Sequence, residues 1–245
     1  MNSQTDHAIV LRLTEYSETS QITTLFSERH GQLRLIAKGA RRSTRKRFAA
    51  GLDLLESGEV SFLPPRGDAQ LGTLTEWVQR DTFAGLRREG LRLYGALYAA
   101  ELVAALTEEA DPHPELYRYF ADTLRALCDA DRPAACLPTF QADLLQTVGY
   151  APNLTECVSC RGAITSGAPL HFSAGAGGLL CRDCELRYVE KRRISSRLLE
   201  TTPADGDPRA WFELLNYHLT SIARRPFKTA RQVAALLGQE RFRSL

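Results

Sequence analysis

The sequence predicts an α+β protein, with a small five-stranded barrel first and an all-α domain carrying an inserted four-cysteine zinc ribbon after it. Three observations carry this reading. Short alternating apolar segments fill residues 8–78, and the apolar period turns helical from Thr82. Two Cys-x-x-Cys pairs, Cys157/Cys160 and Cys181/Cys184, then stand twenty residues apart within the helical part. The expected limits are 1–80 for the barrel, 81–156 and 186–245 for the helical domain, and 157–185 for the cysteine segment.

The strands come in order. Ala8 to Leu13 places Ile9, Leu11 and Leu13 on one face, and Ser20 to Phe26 alternates Ile22, Thr24 and Phe26 against Thr23 and Leu25. A turn through Gly31 leads to Leu33–Lys38, with Leu33, Leu35 and Ala37 inward and Arg34 and Lys38 outward. Glu59–Leu63 and Leu71–Val78 follow, separated by Pro64-Pro65-Arg66-Gly67-Asp68. Five strands in so short a stretch suit a closed barrel, OB-like or SH3-like.

Thr82 is the expected N-cap of a long helix reaching Leu106, which Asp111-Pro112-His113-Pro114 brings to an end. Leu116, Tyr119, Phe120, Thr123, Leu124, Leu127 and Cys128 repeat at helical spacing, and a further helix through Phe140, Leu144, Leu145 and Val148 stops at Gly149. Leu186 to Arg193 reads as a short basic helix and Pro203 to Pro208 as a polar linker. Trp211–Ala223 and Thr229–Leu237 read as the last two helices.

Two residues between the sulfurs of each pair let one tight turn aim both at a single ion, and two such turns close a tetrahedral shell. The intervening segment is rich in Gly, Ala and Ser and needs a metal to organise it. Redox dithiols or disulfides are the competing account, but a redox Cys-x-x-Cys stands alone in a βαβ pattern that this chain lacks. Four thiolates leave no open coordination position, so the expected zinc is structural. Cys128 and Cys136 lie on apolar helical stretches and read as core residues.

A net charge of +2 conceals an uneven distribution. Residues 1–80 carry a net +2, residues 81–156 a net −6 and residues 157–245 a net +6. Between Arg29 and Leu52 stand eight bases and no acid, six of them within Lys38–Arg47. That density points to a polyanion. The candidate nucleic-acid-binding set is Arg34, Lys38, Arg41, Arg42, Arg45, Lys46 and Arg47, with Tyr16, Phe26 and Phe48 as stacking candidates, Phe26 reading better as core. A second basic surface is expected from Lys191, Arg192, Arg193, Arg224, Arg225 and Lys228, with Arg187, Arg197 and Arg231 beside them.

Other classes find no support. No phosphate loop of the Gly-x-x-x-x-Gly-Lys-[Ser/Thr] type occurs, and His7, His30, His113, His171 and His218 are scattered without a paired nucleophile. Glu108, Glu109 and Asp111 read as the solvated exit of a helix, and His218 as a satisfied histidine rather than a ligand. The chain is expected not to be an enzyme. The N-terminus lacks the pattern of a secretory signal and no apolar run reaches membrane-spanning length, so a cytoplasmic location without membrane contact is expected.

Several stretches resemble the bacterial recombination mediator family RecO. These are Ala8-Ile9-Val10-Leu11-Arg12, Tyr16, Glu18, Ser20, Gly31 and Ala37-Lys38-Gly39-Ala40-Arg41-Arg42. Leu144-Leu145, Gly149-Tyr150-Ala151-Pro152-Asn153-Leu154, Phe172-Ser173, Gly177-Gly178, the four cysteines, Tyr217-His218-Leu219 and Arg225-Pro226-Phe227-Lys228 extend the likeness. One departure is Arg161, which stands before Gly162 where the family has a glycine directly after the first pair. The resemblance implies an N-terminal OB-fold nucleic-acid-binding domain. It also implies binding of single- and double-stranded DNA, strand annealing, and action with RecR to load RecA onto strands covered by single-strand-binding protein, in RecF-pathway DNA repair at the nucleoid. Family members without the four cysteines imply that zinc serves structure. The competing readings are an RNA-binding barrel with a zinc ribbon from the translation machinery and a zinc-dependent hydrolase.

Overall fold

The computed structural model describes residues 3–39, 52–67, 69–129, 131, 133–164 and 170–243. The chain divides into two compact units, Met1–Asp129 and Ala130–Leu245.

In the first unit, β1 (Gln4–Glu15), β2 (Gln21–Ser27), β3 (Gly31–Ala37), β4 (Ser57–Leu63) and β5 (Gly72–Asp81) close into a barrel of order β1-β2-β3-β5-β4. All neighbours are antiparallel except β3 and β5, whose parallel seam pairs Leu35 with Gly72 and Ile36 with Thr73. This is the closed OB-fold arrangement, in which pairing all round leaves no sheet edge. Its interior is filled by Ala8, Val10, Leu25, Leu35, Ala37, Leu52, Val60, Phe62, Leu74 and Trp77.

The inward face of β1 differs from the expected Ile9/Leu11/Leu13 set. A bulge between Val10 and Arg12 inserts Leu11 as an extra residue, so Ala8 and Val10 point inward before it and Leu13 after it. Leu25 of β2 faces the interior. Phe26 is fully buried on the other side, its ring 6.2 Å from that of Tyr117, and it offers no stacking face.

Residues 52–56 are pinned at both ends of a short stretch. Leu52 enters the core, Leu55 N–H donates to Val10 O and Val10 N–H donates to Glu56 O, both at 2.9 Å.

Thr82 does not cap the first helix. Phe83 turns into the left-handed region (φ 45°) to bury its ring, and its N–H is taken by the Asp81 carboxylate at 2.7 Å. A 3-10 turn over Ala84–Arg88 follows, and α1 (Gly90–Leu106) starts only after the extended Glu89. α2 (Pro114–Asp129) begins on a proline, whose missing N–H is harmless in the first turn. Its strongly one-sided apolar face buries Leu116, Phe120, Leu124 and Leu127.

In the second unit, α3 (Cys136–Thr147) packs on α4 (Pro208–Ala223), and α5 (Ala230–Arg243) packs on α4. Asp207 caps α4 by accepting from the Arg209 and Ala210 backbones, and Gly149 exits α3 at φ +77°. The expected basic helix over Leu186–Arg193 is absent. A 3-10 turn at Glu185–Arg187 leads to a strand, β8 (Arg192–Ile194), which adds to β6 (Leu170–Ser173) beside β7 (Gly178–Leu180). Pairing of Leu170 with Ile194 and Phe172 with Arg192 overrides the local helical charge pattern. Among the described residues, no helix is long and apolar enough to cross a membrane.

Candidate metal centre and nucleic-acid interface

The first cysteine turn is built by Asn153. Its side-chain oxygen accepts from the backbones of Thr155 and Glu156, and its backbone pairs with Gly177 and Leu179 of the β6–β7 hairpin. Cys157 N–H then donates to Gly162 O, and Arg161 N–H donates to Cys157 O, closing the turn around the first pair. Arg161 itself adopts φ +62°, the left-handed conformation that a glycine fills at little cost and a side chain at about 1–2 kcal/mol. Its guanidinium answers Glu156 at 2.8 Å. The substitution noted in the sequence thus carries local strain offset by an ion pair.

The second turn repeats the design, with the Cys184 and Glu185 amides donating to Cys181 O. The two turns bring the thiol sulfurs of Cys157, Cys160, Cys181 and Cys184 all within 4.8 Å of one another, a set that could hold a metal ion. Cys160 and Cys181 sulfurs stand 3.8 Å apart, and Cys181 N–H points at the Cys157 sulfur at 3.4 Å. Cys157 and Cys184 are buried with Leu180, while Val158, Ile164 and Tyr188 pack around them. Burial opposes ionisation of Cys157, yet amide N–H groups of Cys181, Cys160 and Ser159 lower its pKa to about 6. For Cys184 the Ser159 hydroxyl favours the thiolate, but the neighbouring sulfurs and burial prevail and raise it to about 11. Four sulfurs this close cannot all ionise without a cation between them.

His171 and Glu185 form an ion-pair contact linking β6 to the second turn. The Glu190 carboxylate accepts from Ser173 Oγ and from the Ala174 and Gly175 backbones. Among the described residues, neither histidine nor acid joins the cysteine set. His218 is buried, donates from Nε2 to Tyr150 O at 2.9 Å and lies edge-on to Phe172.

The cationic candidates fall into three groups. Arg41, Arg42, Arg45, Lys46 and Arg47, together with Phe48, lie outside the described residues. Lys38 is exposed just beyond β3, and Arg34 projects from β3 toward Glu109 at 3.4 Å. Arg29, the first base of the run, is tied to Asp6 and to Thr5 O. Tyr16 stands exposed in the β1–β2 connection.

Glu108, Glu109 and Asp111 are exposed, as a solvated helix exit requires, but the backbone of this segment docks on β3. Gln32 N–H donates to Glu108 O, Ala110 N–H donates to Gln32 O, and a Cβ on Gly31 would meet Asp111 O at 2.1 Å. Sequence reading missed this docking because its bonds run through the backbone.

Of the second basic set, Lys191 Nζ is spent on the carbonyls of Glu185 and Tyr188, and Arg192 stacks 4.4 Å over the Tyr217 ring. Arg225 lies over Phe227 at 5.8 Å. Arg193, Arg224 and Lys228 are exposed.

A closed OB-type barrel and a helical unit bearing four clustered cysteines define an OB-fold protein with a four-cysteine segment that could hold a metal ion. The family model "Recombination protein O N terminal" matches residues 1–83, and "Recombination protein O C terminal" matches residues 87–204. The chain belongs to the recombination protein O family, RecO. Proteins named DNA repair protein RecO are similar to it across several bacteria. That of Rhodopirellula baltica is 35% identical over 178 residues, 72% of this chain and 65% of the relative. That of Pelotomaculum thermopropionicum is 35% identical over 215 residues, covering 88% and 78%. That of Halalkalibacterium halodurans is 30% identical over 190 residues, covering 78% and 72%.

Proposed function

We propose that this chain is a DNA-binding, strand-annealing recombination mediator of DNA repair that works without catalysis of its own. The observation that carries this is the closed OB barrel whose third strand leads, through exposed Lys38, into an acid-free stretch dense in arginine. Single-strand binders combine a positive track for phosphates with a barrel scaffold, and arginine forks suit phosphate contacts. The functional division proposed is a DNA-binding barrel at 1–80, a helical domain at 81–156 and 186–245, and a bracing segment at 157–185. Arg34, Lys38, Arg41, Arg42, Arg45, Lys46 and Arg47 grip the first strand. Arg193, Arg224, Arg225 and Lys228 lower its repulsion with the second, aided by Lys191 and Arg192. RecR and single-strand-binding protein are the proposed partners, with RecA loaded through them, in the cytoplasm.

The proposed metal is structural zinc. Zinc–sulfur bonds of about 2.3 Å set tetrahedrally place sulfurs about 3.8 Å apart, and the Cys160–Cys181 separation of 3.8 Å supports that fit. When bound, the ion would hold all four sulfurs as thiolates, offset half of their charge and brace the two turns. DNA contact falls to the arginines.

The test is oligonucleotide binding and annealing across a salt series. The wild type is compared with a variant carrying Arg41→Glu, Arg42→Glu, Arg45→Glu and Lys46→Glu. Six neutralised phosphates give a log–log salt slope near about −4 on single strands, and the variant should fall to about −1 to −2 with greatly reduced affinity. Its melting temperature should not change. An unchanged slope, or RNA of the same sequence outcompeting DNA, would overturn the reading.

A further inference from the structure

The turn that follows the second cysteine pair holds two aliphatic side chains in water with nothing over them. Leu186 is 84% exposed and Val189 fully so. This exposure is imposed by the backbone. Lys191 Nζ donates to Glu185 O at 2.7 Å and to Tyr188 O at 3.2 Å, Arg187 N–H to Cys184 O and Tyr188 N–H to Glu185 O, each at 3.1 Å. An ammonium therefore closes the turn from within, and Tyr188 packs against the cysteine cluster. Leu186 and Val189 are left on the outside of a pinned loop.

The charge around them is biased. Glu185 is engaged by His171, and Glu190 by Ser173, Ala174 and Gly175. Arg182, Arg187 and Arg193 are exposed, as are Asp183 and Glu190, and the Glu190 carboxylate is turned onto the Ser173–Gly175 donors, so cations outnumber the acids facing solvent. A partner for this surface is anionic and has an apolar interior to receive two protruding aliphatic groups.

We infer that Leu186 and Val189 form an apolar wedge that enters between base steps of duplex DNA, with Arg182 and Arg187 meeting the flanking phosphates. The inference rests on the nucleic-acid reading above and gives it a duplex-opening element. Aliphatic side chains inserted between base steps partly unstack and kink the duplex, and phosphates lie on both sides of every step. A convex pair of side chains suits this better than an acidic apolar peptide, which needs a concavity to bury its own residues. Unstacking at this turn would favour exchange of strands during annealing.

The experiment places 2-aminopurine at a central step of a short DNA duplex and titrates in the full-length protein. The wild type should raise the fluorescence as the probe unstacks. The L186A/V189A double variant should lose that rise and bind the duplex about tenfold more weakly, as expected for two apolar contacts withdrawn. Its melting temperature and its affinity for an unstructured single strand should match the wild type, since both side chains are exposed. Wild-type binding with no fluorescence rise overturns the wedge and leaves the DNA-binding reading standing. Equal signals from variant and wild type also overturn the wedge, as does a variant whose only loss is binding of an acidic apolar peptide. No oligonucleotide binding by the wild type overturns both.

Discussion

The Arg34 guanidinium lies 3.4 Å from the Glu109 carboxylate, so one cation of the barrel's basic strand is already answered by an acid of the same chain. Both side chains are about half exposed, and such a pair contributes at most about 1 kcal/mol. A phosphate oxygen can therefore displace Glu109. Glu109→Gln should raise single-strand affinity about threefold and steepen the salt slope by about 0.7, with stability changed by less than about 1 kcal/mol. Binding isotherms at several salt concentrations and a thermal melt check each part.

Asp6 is a buried carboxylate that accepts from Ser27 Oγ, the Arg29 backbone and guanidinium, His30 Nδ1 and the His7 backbone at 2.8–3.0 Å. Burial pushes its pKa up, but hydrogen bonds from His30, the Arg29 backbone, Ser27 and the Arg29 side chain together hold it below 3.8. Its folded pKa lies below the unfolded one, so its contribution is present above about pH 3.8 and is lost as pH falls through the folded value. Asp6→Asn should cost about 2–4 kcal/mol at pH 7. The gap between the two proteins should narrow in denaturant melts taken progressively below pH 3.8.

His218 behaves in the opposite chemical sense. Burial lowers its pKa below 6.5, against the raising influence of its bond to Tyr150 O. The unfolded chain then binds more protons than the folded one, so stability declines as pH falls below about 6.5 and levels off beneath the folded pKa. Its ring protons should titrate below pH 6.5 by NMR. His218→Gln should show a shallower stability slope between pH 7 and pH 5; an identical slope would show that another group is responsible.

Metal removal should act on the second unit alone. One zinc per chain should be measured by elemental analysis, and a chelator should lower the stability of the β6–β8 segment, since structural zinc contributes on the order of 10 kcal/mol in such sites. The barrel's β-sheet circular dichroism should persist. Replacing Cys160 by Ser should reproduce the effect without chelator.

Features that depend on composition at fixed spacing were readable from the sequence. The cysteine turns, the five strands and the helical spacing from Leu116 to Cys128 all rest on local chemistry, and each stands close to its expected place. Features set by partners distant in sequence were not. The Leu11 bulge depends on β2, the β8 strand on β6, and the late start of α1 on burial of Phe83. Arg34 and Arg192 read as free cations because Glu109 and Tyr217 are far along the chain.

Leu52 and Leu55 have a further consequence for the arginine-dense stretch between Gly39 and Leu52. The described residues on either side of it are held by the barrel, Gly31–Ala37 as β3 and residues 52–56 by core insertion of Leu52 plus the Val10 bonds. Polar replacement of either buried leucine should loosen that flank of the barrel and so weaken nucleic-acid capture without removing a single cation.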